Sequence, residues 1–107
     1  MSSGDVEEGG LLAGVDRVIH EPARFSVMAH LYAVESADFL FISRHTGLTR
    51  GNLSSHMRRL EEAGYIEVRK GFVGRRPHTV LAITKRGREA FRAYVSGMRD
   101  TLGRLEM

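Results

Sequence analysis

Apolar residues recur along this chain at intervals of three and four, broken by one strand-like stretch past its middle. Leu11, Leu12, Val15, Val18 and Ile19 fall at helical spacing and predict a first short helix. Pro22 suits the first turn of a second helix, over about 22–35, with Phe25, Met28, Ala29, Leu31 and Tyr32 in and around its apolar face. A third, short helix is expected after Asp38, a good N-cap; Leu40, Phe41 and Ile42 bury it and Gly47 ends it. Thr49 caps a fourth helix, in which Leu53, Met57 and Leu60 make one thin apolar stripe and Gly64 is the stop. Tyr65–Lys70 then reads as a strand, GFVGRRP as a turn and Thr79–Thr84 as a second strand. Thr84 caps a last long helix over about 85–105, where Phe91, Val95, Met98, Leu102 and Leu105 form a heptad-like seam with Tyr94 beside it.

Two helices joined by a tight Gly-containing turn form a helix-turn-helix unit, and a hairpin directly behind it makes the unit winged. The expected fold class is therefore mainly α with a small β-hairpin wing: a winged helix-turn-helix with flanking N- and C-terminal dimerisation helices. Residues 1–10 read as a disordered leader and residues 11–107 as a single domain. A chain of 107 residues buries only a modest core, which a second copy would extend. The seam Phe91, Tyr94, Val95, Met98, Leu102 and Leu105, together with Leu11, Leu12, Val15, Val18 and Ile19, is the expected isologous interface of a homodimer.

Charge sharpens the picture. The net charge is only +3, but residues 1–43 hold seven acids against two basic residues, while residues 44–92 hold twelve basic residues against four acids. Such segregation is a statement about partners, and a basic middle suggests a polyanion. Only two of the sixteen basic residues are Lys. Arg offers the planar fork that matches phosphate, which favours nucleic acid.

The fourth helix carries the chemistry. Opposite its apolar stripe stand Gly51, Ser54, Ser55, Arg58 and Arg59, following Thr49 and Arg50 and including Asn52 at its first turn. Ser hydroxyls and Arg forks bond phosphates and base edges. Gly51 costs about 1 kcal/mol of helix stability against Ala and permits close approach of the helix N-terminus to a partner. The expected mode is this helix in the major groove of double-stranded DNA. The hairpin adds Lys70, Arg75, Arg76 and His78 around Gly71, Gly74 and Pro77, suited to a phosphate strand or the minor groove.

The segment HTGLTRGNLSSHMRRLEEAGYIEVRKGFVGRRPHTVLAITKRGREAF resembles the winged-helix transcriptional regulators of bacteria and archaea, in particular the compact MarR/ArsR-like group. The matching pieces are GLTRGNLSSHMRRLEEAGYI, KGFVGRRPHTVLAIT and TKRGREAF, and the likeness covers about residues 15–105. It implies a cytoplasmic homodimer on a roughly palindromic operator, with Thr49–Ala63 as recognition helix and Arg75 and Arg76 on the wing. Many ArsR-type repressors sense metals through Cys, which this chain lacks, and it is short for the ligand pocket of many MarR-type proteins.

Other functions find little purchase. The five His (20, 30, 45, 56, 78) make no H-x-x-x-H pair, and the glycines are not followed by the GK[ST] of a phosphate loop. No catalytic site, cofactor or metal is expected. His30 reads as a satisfied structural residue, and His56 as a flank of the recognition helix in reach of a phosphate or a neighbouring helix. No run approaches the ~20 apolar residues of a membrane span, so no membrane partner is expected. The remaining alternatives are a winged-helix protein-interaction adaptor and a nonspecific architectural DNA-binding protein. The operator, the direction of regulation and any small-molecule effector lie beyond what these residues specify.

Overall fold

A computed structural model describes residues 10–105. The order is α1 (Pro22–Val34), β1 (Ser36–Asp38), α2 (Phe39–Thr46), α3 (Arg50–Glu62), β2 (Ile66–Val73), β3 (Arg76–Ile83) and α4 (Lys85–Arg104). Each helix starts where a side chain accepts an otherwise unpaired amide: Glu21 from Arg24 N, Asp38 from Phe41 N, Thr49 from Asn52 N and Thr84 from Gly87 N. Gly47 (φ 75°) ends α2 and Gly64 (φ 82°) turns the chain after α3, both in the left-handed conformation that favours glycine. α3 and α4 thus stand where their caps and spacing place them.

The helices close over one core of Ile19, Val27, Met28, Leu31, Ile42, Leu53, Leu60, Ile66, Leu81 and Phe91. Leu53 and Leu60 anchor α3 to it, and each fully buried side chain contributes roughly 1.5–3 kcal/mol. Met57, between them, is only partly buried.

Three expectations need correction. Residues 11–19 form no α-helix; they make two turns, with Ala13 N bonded to Gly10 O and Val15 N to Leu12 O. Gly14 adopts φ 81°, which breaks a right-handed helix, and Asp16 Oδ1 takes the amides of Val18 and Ile19. The turn that Asp16 caps cannot lengthen, because Pro22 favours an extended Glu21 (φ −155°, ψ 128°). The apolar spacing was real, but it serves irregular backbone that lays Ile19 into the core.

The hairpin is also longer than expected. Its strands run to Val73 and Arg76, so the GFVGRRP stretch is mostly ladder and only Gly74–Arg75 turns. Gly74 at the first central position has φ 64°, as a two-residue type II′ turn requires. Finally, the sheet has a third strand. β1 pairs antiparallel with β3, giving the order β1-β3-β2. The chain enters β1 through Glu35 at φ 75°, a strained conformation outside glycine, whose carbonyl accepts Ile83 N at 2.9 Å.

Asp16 links this irregular segment to the wing's root, because its Oδ2 accepts the Tyr65 hydroxyl. Burial, reinforced by that carboxylate, pushes the Tyr65 pKa up to about 12 from 10.0. A raised folded-state value means that folding protects the proton. The associated stability is complete below pH 10 and is lost as pH rises towards 12. Urea unfolding midpoints between those limits are expected to fall more steeply for the wild type than for Tyr65→Phe. Parallel curves would show that this hydroxyl contributes nothing to the pH response.

Candidate nucleic-acid interface

α3 spans thirteen residues, about 20 Å at 1.5 Å per residue, long enough to lie in a major groove. Arg50, Gly51, Asn52, Ser55, Arg58 and Arg59 are exposed on it, Ser54 is half-buried, and the Thr49 hydroxyl is occupied by the N-cap. A groove separates α3 from the hairpin, lined by Ser54, Met57, Arg58 and Glu61 on one side and Val68 and Lys70 on the other. It continues towards the start of α2 between Arg50 and Ser54 and the hairpin residues Lys70, Pro77 and His78. Helix and wing therefore border one surface, which their separation in the sequence did not guarantee.

Among the described residues, the cations on this surface are unengaged within the chain, as are Arg44, Lys85, Arg99 and Arg104 away from it. Arg24, Arg69, Arg88 and Arg92 all have intrachain partners. Among the described residues no hydrogen bond or ion pair engages the side chains of Arg50, Arg58, Arg59, Lys70, Arg75 or Arg76. Their charge remains available to a polyanion. His78 is the exception among the expected contacts. It is half-buried, with Nε2 3.7 Å from Asp38 Oδ2, and so partners the residue that caps α2.

Of two positioning residues, His56 was expected within reach of a phosphate or a neighbouring helix, and Arg24 carries no sequence signal. Arg24 Nε donates to the Val18 carbonyl at 2.6 Å, and its Nη1 donates to His56 Nδ1 at 3.1 Å. Glu21 Oε1 lies 3.8 Å from the same imidazole. His56 thus faces the start of α1 and fixes how α3 is seated. The neighbouring helix is α1, and a spacing of thirty-two residues could not foretell that Arg24 is the partner. His30 donates its Nδ1 proton to the Ser26 carbonyl at 2.7 Å, one turn back on its own helix.

The expected dimer residues divide. Ile19 and Phe91 are corrected to the chain's own core, Phe91 between Phe25 (5.6 Å between centroids) and Tyr32 (5.1 Å). Val18 and Val95 pack partly against that core. Tyr94 shares a 2.8 Å hydrogen bond with His20 Nδ1. Leu12, Val15, Tyr94 and Met98 line a groove between residues 11–16 and α4. Leu11, Leu102 and Leu105 are 55, 54 and 46 % exposed.

Among the described residues no three His, Cys, Asp or Glu stand close enough to hold a metal ion, and no helix is long and apolar enough to cross a membrane.

Comparison with known proteins places this geometry. The family model of the winged helix DNA-binding domain matches residues 23–102, from the start of α1 almost to the end of α4. The chain is 34% identical over 79 residues to an uncharacterised protein of Methanocaldococcus jannaschii, covering 74% of this chain and 86% of that one. Its fold is similar to that of a transcriptional regulator homologue from Pyrococcus horikoshii, with a TM-score of 0.82 and 29% identity over 95% of this chain and 99% of the other. A MarR family regulator from Silicibacter pomeroyi shares the fold at a TM-score of 0.61 and 20% identity, over 94% of this chain and 62% of that one. Helix-turn-helix, three-stranded sheet and matched span coincide, and this chain belongs to the winged helix DNA-binding domain family.

Proposed function

We propose that the chain is a sequence-specific regulator of transcription that binds double-stranded DNA in the cytoplasm as a homodimer on a palindromic operator. The observation that carries this reading is the single surface on which unpaired Arg50 and Arg58 of α3 face Lys70 of the wing across one groove, with Arg59 exposed beside them on the helix. α3 enters the major groove, with Arg58 and Arg59 set to reach base edges or phosphates, and Arg75 and Arg76 follow the backbone beside it. Likeness to the Pyrococcus horikoshii transcriptional regulator homologue supports the role in transcription. A two-fold dimer would place two α3 helices about one DNA turn, roughly 34 Å, apart.

The test is fluorescence anisotropy of the purified chain, at two salt concentrations, against the duplex upstream of its own gene and a scrambled duplex of equal length. Binding tighter to the upstream DNA by about three decades or more supports the regulator. Equal and steeply salt-dependent binding would instead make it an architectural protein, and no binding at low salt would leave an adaptor. Within the same assay, Arg75→Ala is expected to flatten the dependence of log K on log salt by about one unit, and Arg58→Ala with Arg59→Ala by up to about two. The three arginines are exposed, so thermal unfolding of these variants should match the wild type.

A further inference from the structure

The wing carries a feature that phosphate binding leaves unexplained. Phe72 is 73% exposed, the most exposed of the large apolar residues among the described residues, and Val73 follows at 61%. Phe72 sits on β2, an edge strand of the sheet, opposite Pro77 on β3. An exposed aromatic ring on an edge strand is an aggregation hazard with no benefit to the fold. Among the described residues no ring pair, cation–π contact or core residue involves it.

Its position on the ribbon is informative. Side chains alternate faces, so Val68, Lys70 and Phe72 share one face, with Leu81, Thr79 and Pro77 opposite them in register. That is the face that borders α3, because Val68 and Lys70 line the groove against Ser54, Met57 and Arg58. Phe72 therefore extends the interface outward, about 7 Å beyond Lys70 at ~3.3 Å per residue. Residues 68–79 contain Arg69, Lys70, Arg75, Arg76 and His78 and no carboxylate. A protein or a second copy of this chain would have to offset that charge, whereas DNA complements it.

We infer that Phe72, backed by Pro77, is an apolar wedge that enters the minor groove flanking the α3 site and pries apart a base step there. This rests on the reading of the chain as a duplex-DNA binder and adds a contact of a different kind. Lys70 and Arg75 hold phosphate on either side, and the ring gains by leaving water for the stack. Wedges of this type bend the duplex towards the major groove, which would press the bound duplex around α3. Pyrimidine–purine steps unstack most easily, so the wing would favour TA or CA steps in the flank without any hydrogen bond to a base. Phe72 becomes a specificity residue through deformability.

The experiment uses the upstream duplex of the anisotropy assay, with 2-aminopurine at successive flanking steps and a fluorophore pair at its ends. Wild-type protein should raise 2-aminopurine emission at one flanking step and shorten the end-to-end distance by a bend of about 20° or more. Phe72→Ala should abolish both signals and weaken binding about tenfold with the salt slope unchanged, while Phe72→Leu retains most of the bend. Arg75→Ala should do the converse, flattening the slope and keeping the 2-aminopurine signal. A wild type that binds this duplex while Phe72→Ala matches it in affinity and bend would overturn the wedge and leave the regulator standing. If the variant instead shifts DNA-free dimer to monomer in sedimentation, the wing tip is a contact between copies and the wedge is wrong. Wild-type protein that binds no duplex would remove both readings. Melting temperatures of the Phe72 variants should stay close to the wild-type value, since the ring is 73% exposed and, among the described residues, packs against no core residue.

Discussion

Gly87→Ala is expected to destabilise the fold by about 3 kcal/mol, a large part of the roughly 5–15 kcal/mol that holds a small domain together. In most helices the substitution would stabilise, because Gly costs about 1 kcal/mol against Ala. Here the sign reverses. Gly87 is buried in the first turn of α4, and a Cβ there would collide with the Tyr65 carbonyl oxygen and stand only 2.8 Å from the carbonyl carbon and 3.0 Å from Tyr65 Cα. All three atoms are backbone, so no side chain can swing away. The same backbone is tied to α4 by Thr84, whose amide donates to Tyr65 O at 3.0 Å and whose hydroxyl donates to Gly64 O at 2.6 Å. Relief requires α4 to lift, which strains those bonds and pulls Phe91 from Phe25 and Tyr32. Urea unfolding checks the prediction against Gly97→Ala, where the new methyl meets nothing within 4 Å. That control should be neutral or gain up to about 1 kcal/mol. Similar midpoints for the two variants would mean that the turn relaxes more freely than its contacts indicate.

Leu102→Glu with Leu105→Glu is expected to convert a dimer to a folded monomer and to weaken operator binding about a hundredfold or more. Both leucines lie at the end of α4 and are roughly half exposed, so the intrachain core is indifferent to their replacement. In an isologous contact each change appears twice near the two-fold axis, which sets four carboxylates against one another where four leucines met. The loss in DNA affinity follows from connection. Two half-sites bound by linked helices gain effective concentration, a factor of 10²–10⁴ that disappears when the copies separate. Sedimentation velocity reads the first effect and anisotropy the second. A variant that remains dimeric would move the interface off this end of α4.

How far these expectations were legible without coordinates depends on the range of the interactions involved. Thr49, Thr84 and Asp38 declare helix starts because a cap is settled within three residues, and Gly47 and Gly64 declare stops because few other residues adopt their backbone conformation. Leu53 and Leu60 at one face, and the arginines at the other, follow from helical geometry alone. The apolar spacing of residues 11–19 misled because periodicity records which side chains are buried and not the backbone that buries them. Gly14 and Asp16 held the opposing information in local form. The wing's length was hidden for a related reason. Its outer half is exposed and sets Phe72 and Val73 side by side between two glycines, so no alternation marks it, and only the type II′ turn at Gly74 brings Val73 beside Arg76.

The sequence by itself determined the helix-turn-helix, its hairpin and the basic character of the surface they share, since caps, turn glycines and net charge act over a few residues. Only the tertiary structure decided the rest. A three-residue β1 is a strand solely because β3 lies beside it, and Asp16 meets Tyr65 across forty-nine positions. Arg24 seats α3 through His56, and Ile19 and Phe91 belong to the chain's own core and not to a partner. These contacts join segments far apart in the chain. Each forms only when the whole core closes, because the entropy of bringing such segments together is offset by their combined burial and by no single pair.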